Sequence, residues 1–411
     1  MPLRSRYVFY VEATLPQSAA YLVTATQHAN AAANVGHDAL LIYLQQGKDA
    51  LRPWRWFSPF HPQSPTTEIV NVYGLQPQLK VIPLAIPWPF GVGKGRFTNV
   101  SSLVCKYYLP WHFLRQTYIL QTNNWNAVKA AVRHGTYVIF EQEHYGQTAF
   151  DPAIVHSPFF TAAVTLSDPV RTDMLARGMP EDKLLQLHLG FNQRFQERHA
   201  TAAATWRNTL LASRYQSLVL YCGALHRFKG VDLLLDIAPQ FPKVAFIFAG
   251  GKPDQIHHYR QQAHAKGATN ANFLGHLGHD RLVSLLQGVD LVLYPHLLNE
   301  AATFTSPLKF FEYLASGTPL VSTIIPPLKP FTTESLAAVW AEPSNPAAFQ
   351  EALAIALQTY PYRSDGYGIN IKFSNQFSWE NRIKKIRSFA DDRIAGQHPT
   401  PPAGSRKRLN P

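Results

Sequence analysis

Apolar positions along the chain fall into two alternating patterns, short unbroken runs and longer stretches that repeat at helical spacing. The runs at 6–11, 39–43, 117–121, 136–140 and 162–166 predict buried strands. Between them lie helical patterns at 19–35, closed by Gly36, at 125–133, and from Ser167 or Asp168 as far as Gly178. A second series begins at 217. Its predicted strands are 217–222, 244–249, 272–274, 290–294, 320–322 and 337–341, with helices at 255–266, 280–287 and 346–358. Strands that alternate with helices predict an α/β protein with parallel sheets. A chain of 411 residues is too long for one core, so two such domains are expected, 1–192 and 217–376. The stretch 193–216 is polar and helix-prone without a strand pattern, which predicts a linker. Ile383, Ile386 and Phe389 give 379–389 an amphipathic face, and the Pro/Gly-rich 394–411 predicts a disordered basic tail.

One stretch, 299–322, couples a helical pattern to chemistry. Ser306 is a favoured N-cap, Pro307 suits the first helical position and Gly317 the C-terminal cap. Within the helix so bounded, Leu308, Phe311, Leu314 and Ala315 form an apolar stripe, while Lys309, Glu312 and Ser316 share another face. The N–H groups that open a helix hold anions, and here a cation and a carboxylate follow at three-residue spacing. That face suits a sugar nucleotide, with the diphosphate on the helix N-terminus and Lys309 and the ribose hydroxyls on Glu312. The same spacing also describes an ordinary i, i+3 ion pair on a surface helix, worth about 0.3 kcal/mol.

Composition narrows the setting. Hydrophobic residues make up 46%, yet no run reaches the roughly 18 apolar residues that a membrane span needs. Glu12 interrupts the apolar N-terminal run, which therefore reads as a strand rather than a signal peptide. Cys105 and Cys222 lack metal-type spacing and predict a reducing, cytoplasmic setting with neither disulfide nor metal. His257 and His258 are adjacent and cannot share one helix face. The net charge of +12 predicts an anionic partner, whether phosphorylated substrate, acidic lipid surface or nucleic acid. Arg406, Lys407 and Arg408 supply part of that charge from the tail. The irregular region 51–115 interleaves aromatics and prolines with Arg52, Arg55, Lys94, Arg96, Lys106 and Arg115. That mixture suits peripheral contact with an anionic membrane, a lipid-linked acceptor, stacking on sugars or single strands, or simple packing against the sheet.

The passage SPLKFFEYLASGTPLV, preceded by a strand ending in Tyr294-Pro295, resembles the donor-binding helix of glycosyltransferase family 4 (glycosyl transferases group 1). HANAAANVGHDALLIY is similar to that family's first helix and second strand. SDPVRTDMLARGMPEDKLLQLHLGFN is similar to the passage closing its first domain, with Asn192 where aspartate is usual. The resemblance implies retaining enzymes of GT-B fold, two Rossmann-like domains facing each other across a cleft. The first, completed by a helix at about 377–393, would take the acceptor and the second the nucleotide-sugar donor. It implies catalytic roles for His144, in a segment like the family's E-x-H, and for Lys229 and Glu312. It implies donor contacts from Gly223, Arg227 and Lys229 in the loop after 217–222, and from the turn holding Gly275 and Leu277. Thr305, Ser306, Lys309 and Glu312 complete the implied donor set. The donor would be a UDP- or GDP-linked sugar, with no bound cofactor or metal. A glycan or lipid-linked acceptor would be met in the cytoplasm or at the inner face of the plasma membrane, and nucleic acid would not be a partner.

Three departures from the family pattern stand out. The loop 14–20 lacks the usual glycine pair, and Ala224 replaces the usual arginine, which leaves Arg227 to substitute. Phe304 replaces the first glutamate of the usual pair, with Glu300 four residues too early. The rival readings are a GT-B sugar-nucleotide epimerase and a donor-binding or assembly protein without catalysis.

Overall fold

The computed structural model describes residues 6–17, 19–45, 61–85, 99–299, 302 and 307–397. Two parallel sheets organise it. The first comprises β1 (Arg6–Thr14), β2 (Ala39–Gln45), β3 (Lys80–Ala85), β4 (Thr117–Thr122), β5 (Tyr137–Gln142), β6 (Phe160–Thr165) and β7 (Leu184–Gln186), in the order β3-β2-β1-β4-β5-β6-β7. The second comprises β8 (Ser217–Cys222), β9 (Val244–Ala249), β10 (Ala271–Gly275), β11 (Leu291–Tyr294), β12 (Leu320–Thr323) and β13 (Ala338–Ala341), ordered β10-β9-β8-β11-β12-β13. Each is a Rossmann-like arrangement that reverses direction beside its first strand.

The strand runs are apolar at successive positions because both faces of each sheet are covered. In β1, Val8 and Tyr10 enter one core while Tyr7, Phe9 and Val11 enter the other. In β8, Leu218, Leu220 and Cys222 face one way, Val219 and Tyr221 the other. The region that reads as irregular in sequence contributes the helix Thr67–Tyr73, the strand β3 and the helix Val104–Leu114. Pro83 is tolerated in β3 because that strand lies at the sheet edge.

The stretch 193–216 carries the helix Ala200–Leu211, which packs along the helix His279–Gly288. Trp206 Nε1 donates to Ser284 Oγ at 3.2 Å, and Arg207 grips Asp290 at 2.8 Å.

The last helix, Trp379–Gln397, crosses back to the first domain. It packs on the helix Ala20–Asn34 and on β6, burying Trp379, Ile383, Ile386, Ala390 and Ile394. The disordered tail predicted from 394 is corrected at its start, since 394–397 continue this helix; the rest of that prediction, 398–411, lies outside the described residues. Among the described residues, no helix is long and apolar enough to cross a membrane.

Candidate functional site

Open parallel sheets hold ligands beyond the carboxyl ends of their strands, at the point where strand order reverses. In the second sheet that point lies between β8 and β11. The loops leaving these two strands are tied together, with Leu297 N–H donating to Phe228 O at 3.0 Å. The approach is close enough to require glycine. Gly230 has φ of +77°, and a Cβ there would stand 1.9 Å from Pro295 O. Lys229 is thereby brought beside the start of the following loop. Burial lowers the Lys229 ammonium's affinity for its proton, and the neighbouring Lys309 lowers it further. His296 stacks on Tyr294 with centroids 4.1 Å apart. Burial, then Lys229, pushes its pKa down to about 3.

The helix after β11 is Leu308–Ser316. It opens one position later than the sequence suggests: Pro307, with φ −82° and ψ 70°, is the N-cap, and Leu308 is the first helical residue. A ψ of 70° lies outside the helical range, so Pro307 precedes the first turn rather than occupying it. Thr305 and Ser306 lie outside the described residues, as do Glu300 and Phe304. Gly317 closes the helix in the left-handed conformation at φ +74°.

The face carrying Lys309, Glu312 and Ser316 turns inward rather than to solvent, for Glu312 is 8% exposed and Ser316 0%. Lys309 Nζ donates to Glu312 Oε2 at 2.6 Å. Burial works against the Lys309 charge, but Glu312 and Cys222 outweigh it and hold the ammonium above its ordinary pKa. The Cys222 thiol, at the end of β8, is pushed up by burial while Lys309, Glu312 and Lys229 all act on it. His279 is kept neutral by burial and also feels Glu312 and Lys309. Lys229, Lys309 and Glu312 thus share one half-buried neighbourhood with an excess of positive charge. The sequence pointed to these three. It gave no sign of Cys222, His279 or His296, which only the sheet topology brings to them.

The other predicted residues divide. Gly223 donates to Ala249 O at 2.9 Å, and Gly250 N–H donates to Gly275 O at 2.7 Å, so the ends of β8, β9 and β10 lie backbone against backbone. A Cβ on Gly250 would fall 2.1 Å from Gly223 O. Leu277 is half-buried beside them. Arg227 is exposed, and its charge is felt at Tyr259 on the outer helix Pro253–Ala265; the coupling to Lys309 belongs to Lys229. His144 is an exposed residue in the loop after β5, its carbonyl accepting from Gln142 Nε2 at 2.9 Å. Gly146 in that loop is pinned by Asp173, to whose Oδ2 it donates at 3.1 Å.

The corresponding edge of the first sheet has different chemistry. Arg382 of the last helix is 3% exposed and donates to His28 Nε2 at 2.8 Å, Leu187 O at 2.7 Å, His188 O at 2.8 Å and Glu141 Oε2 at 3.2 Å. With its Nε2 accepting, His28 carries its proton on Nδ1, which faces Glu141 Oε1 at 3.4 Å. Burial first, then Arg382, keeps His28 neutral. Gln121 joins the network, donating to Glu141 and accepting from Tyr7. Beside it opens a small cavity lined by Tyr21, Thr24, His28, Gln121, Asn123 and Glu143. Burial raises the Glu143 carboxyl against the pull of Thr24 and Arg382. Glu12 at the end of β1 is likewise raised by burial, with Ser101 and Asn124 bonding to it.

The two domains also meet directly. Gly74, at φ +64°, lies so close to His279 that a Cβ would stand 3.3 Å from the imidazole. Asn192 fixes this turn by donating to Gly74 O at 2.9 Å, a bond that an aspartate could not give.

A family model described as "Glycosyl transferases group 1" matches residues 216–359. The O-antigen chain mannosyltransferase C of Escherichia coli is 28% identical over 151 residues, which are 34% of this chain and 39% of that protein. D-rhamnosyltransferase WbpZ of Pseudomonas aeruginosa is 31% identical over 157 residues, 37% of this chain and 38% of that protein. The chain thus spans about two fifths of the length of these curated relatives. Among solved structures, a glycosyltransferase of Rickettsia africae matches with a TM-score of 0.67 at 13% identity, over 95% of this chain and 99% of that one. Anabaena Alr3699/HepE in complex with UDP and glucose matches with a TM-score of 0.64 at 14% identity, over 94% of this chain and 100% of that one. The fold is GT-B.

Proposed function

We propose that the chain is a retaining glycosyltransferase. It moves a sugar from a nucleotide diphosphate, UDP- or GDP-linked, to a hydroxyl of a glycan or lipid-linked acceptor in cell-envelope polysaccharide synthesis. The observation that carries this reading is the shared neighbourhood of Lys229, Lys309 and Glu312 at the reversal point of the second sheet. As the glycosidic bond breaks, negative charge grows on the diphosphate, and two partly desolvated ammonium groups stabilise it more in that state than before. Glu312, now paired with Lys309, accepts from the ribose hydroxyls once Lys309 turns to phosphate. Residues 217–376 act as the donor domain and 1–192 as the acceptor domain, with His144 meeting the donor sugar from the first domain. The departing phosphate takes the acceptor's proton on the same face of the sugar. No cofactor or metal belongs to this reading. The matched relatives support it, one called a mannosyltransferase and another a rhamnosyltransferase, as do the neighbours solved with UDP.

The test is thermal unfolding of the full chain against UDP, GDP and their sugar conjugates, without divalent cations. A ligand bound by the folded state raises the midpoint. A clear rise with one nucleotide is the expected result, and no rise with any of them at millimolar concentration overturns the reading. Incubation of the donor alone separates the epimerase alternative, which would convert it to an isomer without any acceptor.

A further inference from the structure

We infer that the helix Val104–Leu114 is a docking face that seats the first domain on an anionic bilayer surface. This inference stands apart from the donor site and does not depend on it. One side of the helix is core, with Val104, Cys105, Tyr108, Leu109, Phe113 and Leu114 all buried. The other side presents Tyr107, 39% exposed, and Trp111, 65% exposed, more than any other large hydrophobic side chain among the described residues. Their rings touch edge to face with centroids 5.8 Å apart, so they form one ridge rather than two scattered contacts. Tyrosine and tryptophan are the side chains that favour the boundary between headgroups and acyl chains.

Charge selects the kind of surface. Lys106 and Arg115 are exposed at either end of the ridge. The helix Trp125–Arg133, packed alongside, adds exposed Arg133 and half-buried Lys129. The chain has 26 aspartates and glutamates, and none falls between residues 69 and 140. A stretch of chain that supplies aromatics and cations and no Asp or Glu complements anionic headgroups, and each cation near such a surface is worth about fivefold in binding. Nucleic acid is also anionic, but single strands bind by stacking bases on ring faces. Here the two rings meet edge to face and offer no parallel platform.

The experiment is co-sedimentation of the full chain with vesicles of phosphatidylcholine, alone or mixed with phosphatidylglycerol. The chain should sediment with the mixed vesicles and not the neutral ones. The double variant Tyr107→Ser/Trp111→Ser should bind at least tenfold more weakly with an unchanged circular dichroism spectrum, while Trp111→Phe retains binding. Lys106→Gln/Arg115→Gln should lose on the order of tenfold or more. The inference is overturned by equal binding to neutral vesicles, by no binding to either, by undiminished binding of the double variant, or by a single-stranded oligonucleotide that displaces the vesicles.

Discussion

At the reversal point of the second sheet, between β8 and β11, the side chains are two lysines around one buried glutamate. At that of the first sheet, between β1 and β4, they are Glu12, Gln121, Asn123 and Asn124, with Glu141 and Glu143 on the next strand and its loop. The strand order around both points is the same. The topology therefore supplies two crevices, and the side chains decide what each takes. The lysine-rich edge suits a diphosphate. The edge of carboxylates and amides suits a polyol, whose hydroxyls donate to carboxylates and whose acceptor oxygens take amide hydrogens. The edges also differ in what anchors them, since the second is closed by local loops and the first by Arg382 arriving from the far end of the chain.

Breaking that anchor should have the largest effect. Arg382→Met leaves Glu141 buried without its cation, which costs about 3 to 5 kcal/mol. Urea unfolding would show it, and an unchanged midpoint would remove the anchoring role. Lys229→Ala should lower kcat/KM for transfer by about a hundredfold or more, with global stability close to wild type. A variant transferring at the wild-type rate would show that the second edge does not neutralise the leaving group.

Acidification probes both edges together. His28 in the first region and His296 in the second remain neutral on folding, their pKa values lowered from 6.5 chiefly by burial. Below pH 6.5 the unfolded chain binds protons that the folded chain refuses. Stability is therefore complete above that pH and is lost as pH falls, for His296 across the window from 6.5 to about 3. By pH 5.5 His296 costs about 1.4 kcal/mol, and His28 adds to the loss in the same direction. Glu141 acts in the opposite sense. Its pKa is raised by burial, so the folded state takes a proton before the unfolded state does, and the loss in the first region is partly offset. Urea midpoints at pH 7.5 and 5.5 check the net effect, and equal midpoints would contradict it. The smallest expected effect is Glu143→Gln, which should raise the acceptor KM about fivefold, the size of one lost hydrogen bond, and leave nucleotide affinity unchanged. A change in nucleotide affinity instead would blur the division between the edges.

Much of this architecture is legible in the sequence because strands covered on both faces must be apolar throughout. The strands Ser217–Cys222 and Val244–Ala249 coincide with their apolar runs. β3 was hidden by Pro83 and by its Pro-rich surroundings, and the helix Val104–Leu114 by Pro110 within it. Lys309 and Glu312 were legible as a pair because helical spacing alone brings them together. Arg382 was not, since it meets Glu141 across 241 positions and His28 across 354. Nor could spacing tell Lys229 from Arg227; the close approach of Gly230 to Pro295 sets the direction of that loop. Tyr107 and Trp111 could be read as aromatic but not as outward-facing, because Tyr108 and Phe113 in the same helix point into the core.

Whether Lys229, Lys309 and Glu312 form a seat for a nucleotide diphosphate is read by titration calorimetry. UDP and GDP would be titrated in EDTA into the wild-type chain and into Lys229→Ala and Lys309→Ala. One of the two nucleotides should bind the wild type. Each lysine variant should lose at least tenfold in affinity, the size of a hydrogen bond to a charged group. Equal affinity in all three proteins, or no binding of either nucleotide to the wild type, would mean that these side chains are not the diphosphate seat.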